Sequence, residues 1–304
     1  MDPIGAWFPA RENVSLSVYG LALLYVSTFP LETLAIFENK INYYKCFIFK
    51  YLSVFFLVCR LVWGSYKGVW TGVYVLWLAK REVNSMQIVS TGDGSHTLSS
   101  RFRGEHYHST HGAVGESIHV FIRHGLDMLG PRMGIRVLEM GFGTGLNALL
   151  TQMRARRLMQ SIDFVSVDSE PLPRSIIDQL NYGRSVEGAT GDMLNRLHDA
   201  PWGEAVQLEP FFRLQKVHAR IEEVSLDASF DVVYYDAFGP AYQPELWTRD
   251  AFLRMYDVLL PGGTLVTYCA KGQVKRDLRA VGFSVESLPG PPGKREMTRA
   301  CKCT

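Results

Sequence analysis

The greater part of this 304-residue chain reads as an α/β protein with a mostly parallel sheet, helices on both faces and a terminal antiparallel hairpin. Three observations point there. Apolar strand-like runs alternate with helix-like runs from Ile135 onward. A glycine-rich turn, Gly141-Phe142-Gly143-Thr144-Gly145, joins the first such strand to the first such helix. The chain closes on two strand-like runs, Phe283–Ser287 and Glu296–Ala300, with no helix between them.

Taken in order, Gln87–Ser90 and Thr97-Leu98 flank Thr91-Gly92-Asp93-Gly94-Ser95, a hairpin signature with Asp-Gly at its turn. Val114, Ile118, Phe121, Ile122 and Leu126 recur at helical spacing. Ile135–Glu139 reads as a strand and Leu146–Leu158 as a helix. Phe164–Asp168 is the next strand, and a helix follows Pro173. Asp231–Asp236, Thr248–Leu259, Thr264–Cys269 and Val274–Val281 continue as strand, helix, strand and helix. Leu260-Pro261-Gly262-Gly263 reads as a structural turn into the strand after it.

Composition excludes little. Hydrophobic residues make up 47% and charged residues 20%, with a net charge of +2. Residues 86–304 hold 24 basic against 25 acidic side chains, whereas residues 271–304 hold 8 against 3. A nucleic acid would therefore meet a local patch and not a uniformly basic surface. The five cysteines, Cys46, Cys59, Cys269, Cys301 and Cys303, have neither zinc spacing nor an even count, which fits a reducing, cytoplasmic compartment.

Residues 1–85 differ from the rest and form a hydrophobic N-terminal extension to a domain at 86–304. Asn13 to Leu31 is uncharged, but Ser, Thr, Gly and Pro weaken it as a spanning helix. Three readings stand: a membrane or interfacial anchor, an accessory helical subdomain, or upstream sequence ahead of a protein that starts near Met86. The third is favoured, because everything from Met86 onward is coherent without the extension.

A strand ending in Glu139, then Gly141, Gly143 and Gly145, then a helix, is an arrangement for holding a nucleotide-like ligand at the carboxyl edge of a sheet. The glycines alternate, and an acidic residue stands just before them. That suits cationic S-adenosylmethionine better than a diphosphate. Asp168, at the end of the next strand, is placed to accept hydrogen bonds from two ribose hydroxyls, or else to stabilise the helix after it.

Asp236-Ala237-Phe238-Gly239-Pro240 follows the apolar run Val232–Tyr235 and is similar to the loops of amino-group methyltransferases. Asp236 can orient an amine or take its proton, so rate is expected to rise with pH until the base is ionised. Phe238 can stack on a target base, and Pro240 stiffens the loop. His106, His108, His111 and His119 read as surface or substrate-contact histidines, and no metal site is expected.

Together Glu139–Asn147, Asp236–Trp247, Pro261–Tyr268 and Gly293–Met297 resemble the MnmC-type methyltransferase domain of bacterial tRNA modification, over about Met86 to Ala300. The resemblance implies a class I, Rossmann-like S-adenosylmethionine-dependent fold. It implies N-methylation of the 5-aminomethyl group of a tRNA wobble (2-thio)uridine to 5-methylaminomethyl-2-thiouridine. It assigns Gly141, Phe142, Gly143, Gly145 and Asp168 to the cofactor and Asp236 to the catalytic loop; Glu139 and Asn147 complete the candidate cofactor set, and Phe238 and Pro240 the catalytic one. It puts Lys271, Lys275, Arg276, Lys294 and Arg295 near RNA phosphates, with a solvated face as the alternative. Many relatives carry a flavin-dependent oxidase domain; no FAD, DNA or obligate protein partner is expected here. The acidic residue often found beside the adenine is not obvious in Val217–Glu222. Two other readings remain: a methyltransferase acting on a small-molecule amine, and a nucleotide-binding module without catalysis.

Overall fold

The computed structural model describes residues 86–100, 105–132, 134–227 and 229–303. The expectations for residues 1–85 lie outside them. A small antiparallel sheet comes first, with strands β1 (Met86–Ser90), β2 (His96–Ser100) and β3 (Glu105–His106). The β1–β2 hairpin pairs Ser90 with His96, so its loop is five residues and not the two of a tight turn. Asp93 organises it: Oδ1 accepts from Ser95 N (3.1 Å), and Oδ2 accepts from Gly115 N (2.9 Å) at the start of the next helix.

The helix expected over 114–126 is broken into pieces. Helix α1 (Ala113–Ser117) runs into a π-helical turn at Ile118–Arg123 and a 3₁₀ turn at Leu126–Leu129. Gly125 allows the break, since a Cβ there would stand 2.5 Å from the Phe121 carbonyl oxygen.

The main sheet has eight strands in the order β10-β11-β9-β8-β4-β5-β7-β6. Its parallel centre comprises β4 (Ile135–Met140), β5 (Ile162–Asp168), β7 (Phe212–His218), β8 (Phe230–Tyr235) and β9 (Leu259–Thr267). Strands β6 (Ala205–Glu209), β10 (Phe283–Pro289) and β11 (Glu296–Lys302) are joined by antiparallel pairings, so the expected terminal hairpin is present. Strand β9 begins earlier than expected, and Pro261–Gly263 form an irregularity within it, with Phe230 opposite Leu259 but Val232 opposite Thr264.

Both faces are covered, which is why the central strands are apolar almost throughout. Val137, Phe164, Val232 and Tyr234 face one cluster with α2 (Leu146–Leu158) and α5 (Gly191–Asp199). Leu138, Val165, Val233 and Tyr235 face the other, with α6 (Arg249–Val258) and α7 (Gly272–Ala280). Each fully buried side chain of this kind contributes roughly 1.5–3 kcal/mol of transfer free energy. Short helices α3 (Arg174–Ile177) and α4 (Tyr182–Ser185) replace the single helix expected after Pro173. Between them Asn181 ties the main domain to the hairpin, donating to Gly94 O and accepting from His96 N, each at 2.9 Å.

The chain goes from β4 outward to β5 and β7, then returns to β8 on the other side of β4. The carboxyl ends of β4, β5 and β8 therefore meet at the point where strand order reverses, the usual place for a ligand crevice in such sheets.

Candidate active site

A cleft of about 400 Å³ opens at this point. Its floor is the turn after β4. Gly141, Gly143 and Gly145 have φ of 93°, 46° and 74°, all left-handed, where a side chain would be strained. Gly141 N donates to Val167 O (2.9 Å) and Gly143 N to Asp168 Oδ2 (2.8 Å). Space is also short. A Cβ on Gly141 would lie 3.1 Å from the Asp236 carbonyl oxygen, one on Gly143 3.2 Å from the Tyr107 ring, and one on Gly145 2.9 Å from His198 Nε2.

The turn is gripped from below through Thr144. His198 Nε2 donates to Thr144 O (3.0 Å), which fixes its tautomer, and His108 Nε2 bonds Thr144 Oγ1 (2.8 Å). Burial pushes both histidines down to about 4, so both are neutral near pH 7. Lys216, buried beneath, donates to His198 O (2.6 Å) and sits over the Phe142 and Trp202 rings at 5.1 and 4.8 Å. Burial lowers its amine to about 8. The Phe142 ring thus belongs to the core, and only part of the residue borders the cleft.

Asp168 borders the cleft, with Oδ1 accepting from Glu170 N at 2.7 Å in addition to the bond from Gly143. Each carboxylate oxygen retains a second lone pair for a sugar hydroxyl. Burial raises its carboxyl above the ordinary value despite those two bonds. Ala219, Arg220, Ile221 and Glu222, after β7, continue the wall beyond it.

Asp236 stands across the turn from Asp168. Asn147, in the first turn of α2, donates from Nδ2 to Asp236 Oδ2 at 2.7 Å. Burial pushes the Asp236 carboxyl up to about 7, against the lowering effect of that bond. Glu139 departs from the cofactor-contacting role expected for it. Its side chain is completely buried between β5 and β8, accepts from Ser166 Oγ (2.6 Å) and is absent from the cleft lining. Pro240 also falls outside the lining, while its neighbour Gly239 donates to Glu105 Oε2 at 2.9 Å.

The far wall is assembled from distant segments. Tyr107 and Phe238 meet edge to face, with centroids 4.8 Å apart and planes at 80°. Gln243 Oε1 accepts from Phe238 N (3.0 Å), and Trp247 Nε1 donates to Phe238 O (2.8 Å), fixing the loop backbone. Tyr268 donates to Ala237 O at 2.8 Å. Lys294 lies 3.9 Å above the Tyr268 ring and pairs with buried Glu116 at 2.7 Å. Desolvation raises the Glu105 carboxyl above the ordinary value.

The five basic residues expected near phosphates do not behave alike. Lys294 lines the cleft itself. Lys271, Arg276 and Arg295 are exposed. Lys275 is buried and spent on Glu296 and Ser287, each at 2.7 Å, so it locks the terminal hairpin and offers nothing to RNA. Of the four histidines, His106 and His111 are exposed and His119 bonds Pro289 O (2.8 Å). His108 is buried and bonded to Thr144, and both it and His106 border the cleft. No cluster suited to a metal ion occurs among the described residues. Glu105, Tyr107 and Glu116 were not foreseen, since no local pattern marks residues that meet only in space.

The left-handed glycines, the close approaches that forbid Cβ atoms and the half-open Asp168 carboxylate fit a nucleoside-bearing methyl donor. The fold is that of the class I S-adenosyl-L-methionine-dependent methyltransferases. Residues 201–303 match a family described as S-adenosyl-L-methionine-dependent methyltransferase. The domain's resemblance is to the MnmC type. It is 33% identical over 211 residues to the tRNA 5-methylaminomethyl-2-thiouridine biosynthesis bifunctional protein MnmC of Ralstonia nicotianae, over 64% of this chain and 31% of that one. The same-named protein of Cupriavidus necator is 35% identical over 211 residues, with the same coverage. The crystal structure of MNMC2 from Aquifex aeolicus superposes with a TM-score of 0.57 at 26% identity, covering 83% of each chain. The chain thus spans about a third of the length of the curated relatives it matches.

Proposed function

We propose that this domain N-methylates the 5-aminomethyl group of a tRNA wobble (2-thio)uridine, giving 5-methylaminomethyl-2-thiouridine, in the cytoplasm. The observation that carries the reading is Asp236: a carboxylate at the end of β8, oriented by Asn147, with its pKa pushed up to about 7. S-adenosylmethionine supplies an electrophilic methyl group. Gly141, Gly143 and Gly145 would hold it by backbone approach, and Asp168 would take its ribose hydroxyls.

An alkylamine is protonated at neutral pH and carries no lone pair for attack. Asp236, with Oδ2 held by Asn147, offers Oδ1 to the amine, orients it and accepts the proton it must lose. The edge-to-face pair Tyr107 and Phe238 would bound a planar base, and Lys294 with exposed Lys271 and Arg295 would meet phosphate oxygens.

Methyl transfer to tRNA carrying 5-aminomethyl-2-thiouridine, followed by nucleoside analysis, tests this. Labelled 5-methylaminomethyl-2-thiouridine is the expected product, and an unlabelled uridine would overturn the reading. One observation favours a second substrate class. Glu105, Glu116, Asp168, Glu170, Glu222, Asp236 and Glu245 all line the cleft, an acidic setting suited to a free cationic amine. Transfer to the free nucleoside as fast as to tRNA, without salt dependence, would favour that reading.

A further inference from the structure

Below Asp236 lies a buried carboxyl for which the reaction as described has no use. Glu139 Oε2 accepts from Ser166 Oγ at 2.6 Å, but Oε1, equally buried, has no partner. Asn147, which donates to Asp236 and lies beside the Glu139 carboxyl, has an unpartnered buried oxygen of its own, Oδ1. Two adjacent side chains therefore each bury an acceptor without a donor, a shortfall worth about 1–3 kcal/mol per group.

One proton removes both deficits. We propose that Glu139 is a neutral carboxylic acid whose Oε1–H donates to Asn147 Oδ1, so that Asn147 can only present Nδ2–H to Asp236. Glu139 is then a positioning residue, acting on the reaction through Asn147. The inference rests on the reading of Asp236 as the base.

Three features of the site agree with it. Glu139 is fully buried on the central strand, where an ionised carboxylate is costly. Burial, with Asp236 and Asp168 nearby, holds its carboxyl well above the usual range. An amide side chain is indifferent to which end faces Asp236 until its other end is fixed, and an acid proton at Oδ1 fixes it. Keeping Glu139 neutral also spares Asp236 a like charge directly beneath it.

Glu139→Gln preserves shape and a donor, whereas Glu139→Leu removes the donor. With tRNA as acceptor, E139Q is expected to retain near-wild-type kcat and the same pH midpoint. E139L is expected to lose about 10²-fold in kcat with little change in KM for the methyl donor, the cost of a misplaced reacting group. If Glu139 were ionised, E139Q would lower the pH midpoint by about one unit or more by deleting a buried charge, and that result overturns the proposal. So does wild-type turnover in E139L.

Should E139L fail to fold, the E139Q profile decides alone. An infrared difference spectrum of wild type against E139Q at neutral pH gives a readout free of turnover. A protonated-acid carbonyl band present only in wild type supports the proposal, and a carboxylate band in its place overturns it. Because that spectrum needs no acceptor, it separates failure of this inference from failure of the proposed activity.

Discussion

The two walls of the cleft are built on different plans. The wall proposed to hold the donor is made by one short stretch of backbone, Gly141 to Gly145, with Asp168 hydrogen-bonded into it. The wall proposed to face the acceptor is made by side chains from separate segments: Tyr107 after β3, Glu116 on α1, Phe238 after β8, Tyr268 after β9 and Lys294 before β11. A backbone wall tolerates almost no substitution but hardly depends on side-chain identity elsewhere. A side-chain wall can be retuned one residue at a time.

The sharpest way to break the donor wall is Gly143→Val. A β-branched residue at φ 46°, against the Tyr107 ring, is expected to abolish donor binding by calorimetry while circular dichroism stays native. Retained binding would show that Tyr107 yields easily and that the two walls are loosely coupled.

Asp236→Asn comes next. Turnover should fall by about 10²–10⁴-fold, the usual worth of a general base, with donor affinity nearly unchanged. Equal loss of both would move Asp236 into the donor wall. The same variant should be more stable at neutral pH. A carboxyl raised to about 7 from 3.8 binds its proton more tightly in the folded state. The wild type therefore loses stability as pH rises between those values, and the loss is complete above about 7. Thermal unfolding should show no advantage of the variant below about pH 4 and a Tm gain of a few degrees above pH 7. For the wild type, kcat should climb through about pH 7 as this carboxyl ionises. A profile flat from pH 6 to 8 would exclude Asp236 as the base.

Smaller effects separate the basic residues. Lys294→Ala should raise the acceptor KM by about tenfold and leave donor affinity alone, since it removes a cation next to buried Glu116. Lys275→Ala should lower the Tm, with no effect on acceptor KM, because its ammonium is committed to Glu296 and Ser287. Reversal of that order would mean that the acceptor reaches the terminal hairpin and not the cleft.

The contrast between walls also explains what was legible in the sequence. Strand β4, the glycine turn and helix α2 are contiguous, and Leu146–Leu158 forms over the residues its spacing implies. Asp236 and Asp168 end apolar strands, and both reach the cleft. Glu139 is buried outside the cleft lining, because position in a motif says which strand a residue ends, not which way its side chain has room to go. Strand β7 and helix α5 went unassigned. In β7 the inward positions are Phe212, Leu214 and Lys216, and the lysine hides an alternating pattern that its aromatic neighbours make possible. Helix α5 is capped by Thr190, whose side chain accepts from Met193 N, but its nine residues carry too short a period to stand out. In the acceptor wall Phe238 and Lys294 stood in legible motifs, but Tyr107 and Glu116 left no local trace, and Glu116 meets Lys294 across 178 positions of sequence.

A final consequence follows from the contact between Gly141 and Asp236. A Cβ at 141 would press on the carbonyl of 236, and Asn147, six positions further on, holds the carboxylate of the same residue. The donor turn and the base loop are therefore one interlocked part, although 95 positions separate Gly141 from Asp236 in the chain. Variation in one is conditional on the other. In a library randomised at 141, 147 and 236, surviving variants should carry paired changes far more often than independent ones, so the two motifs would be inherited as a unit.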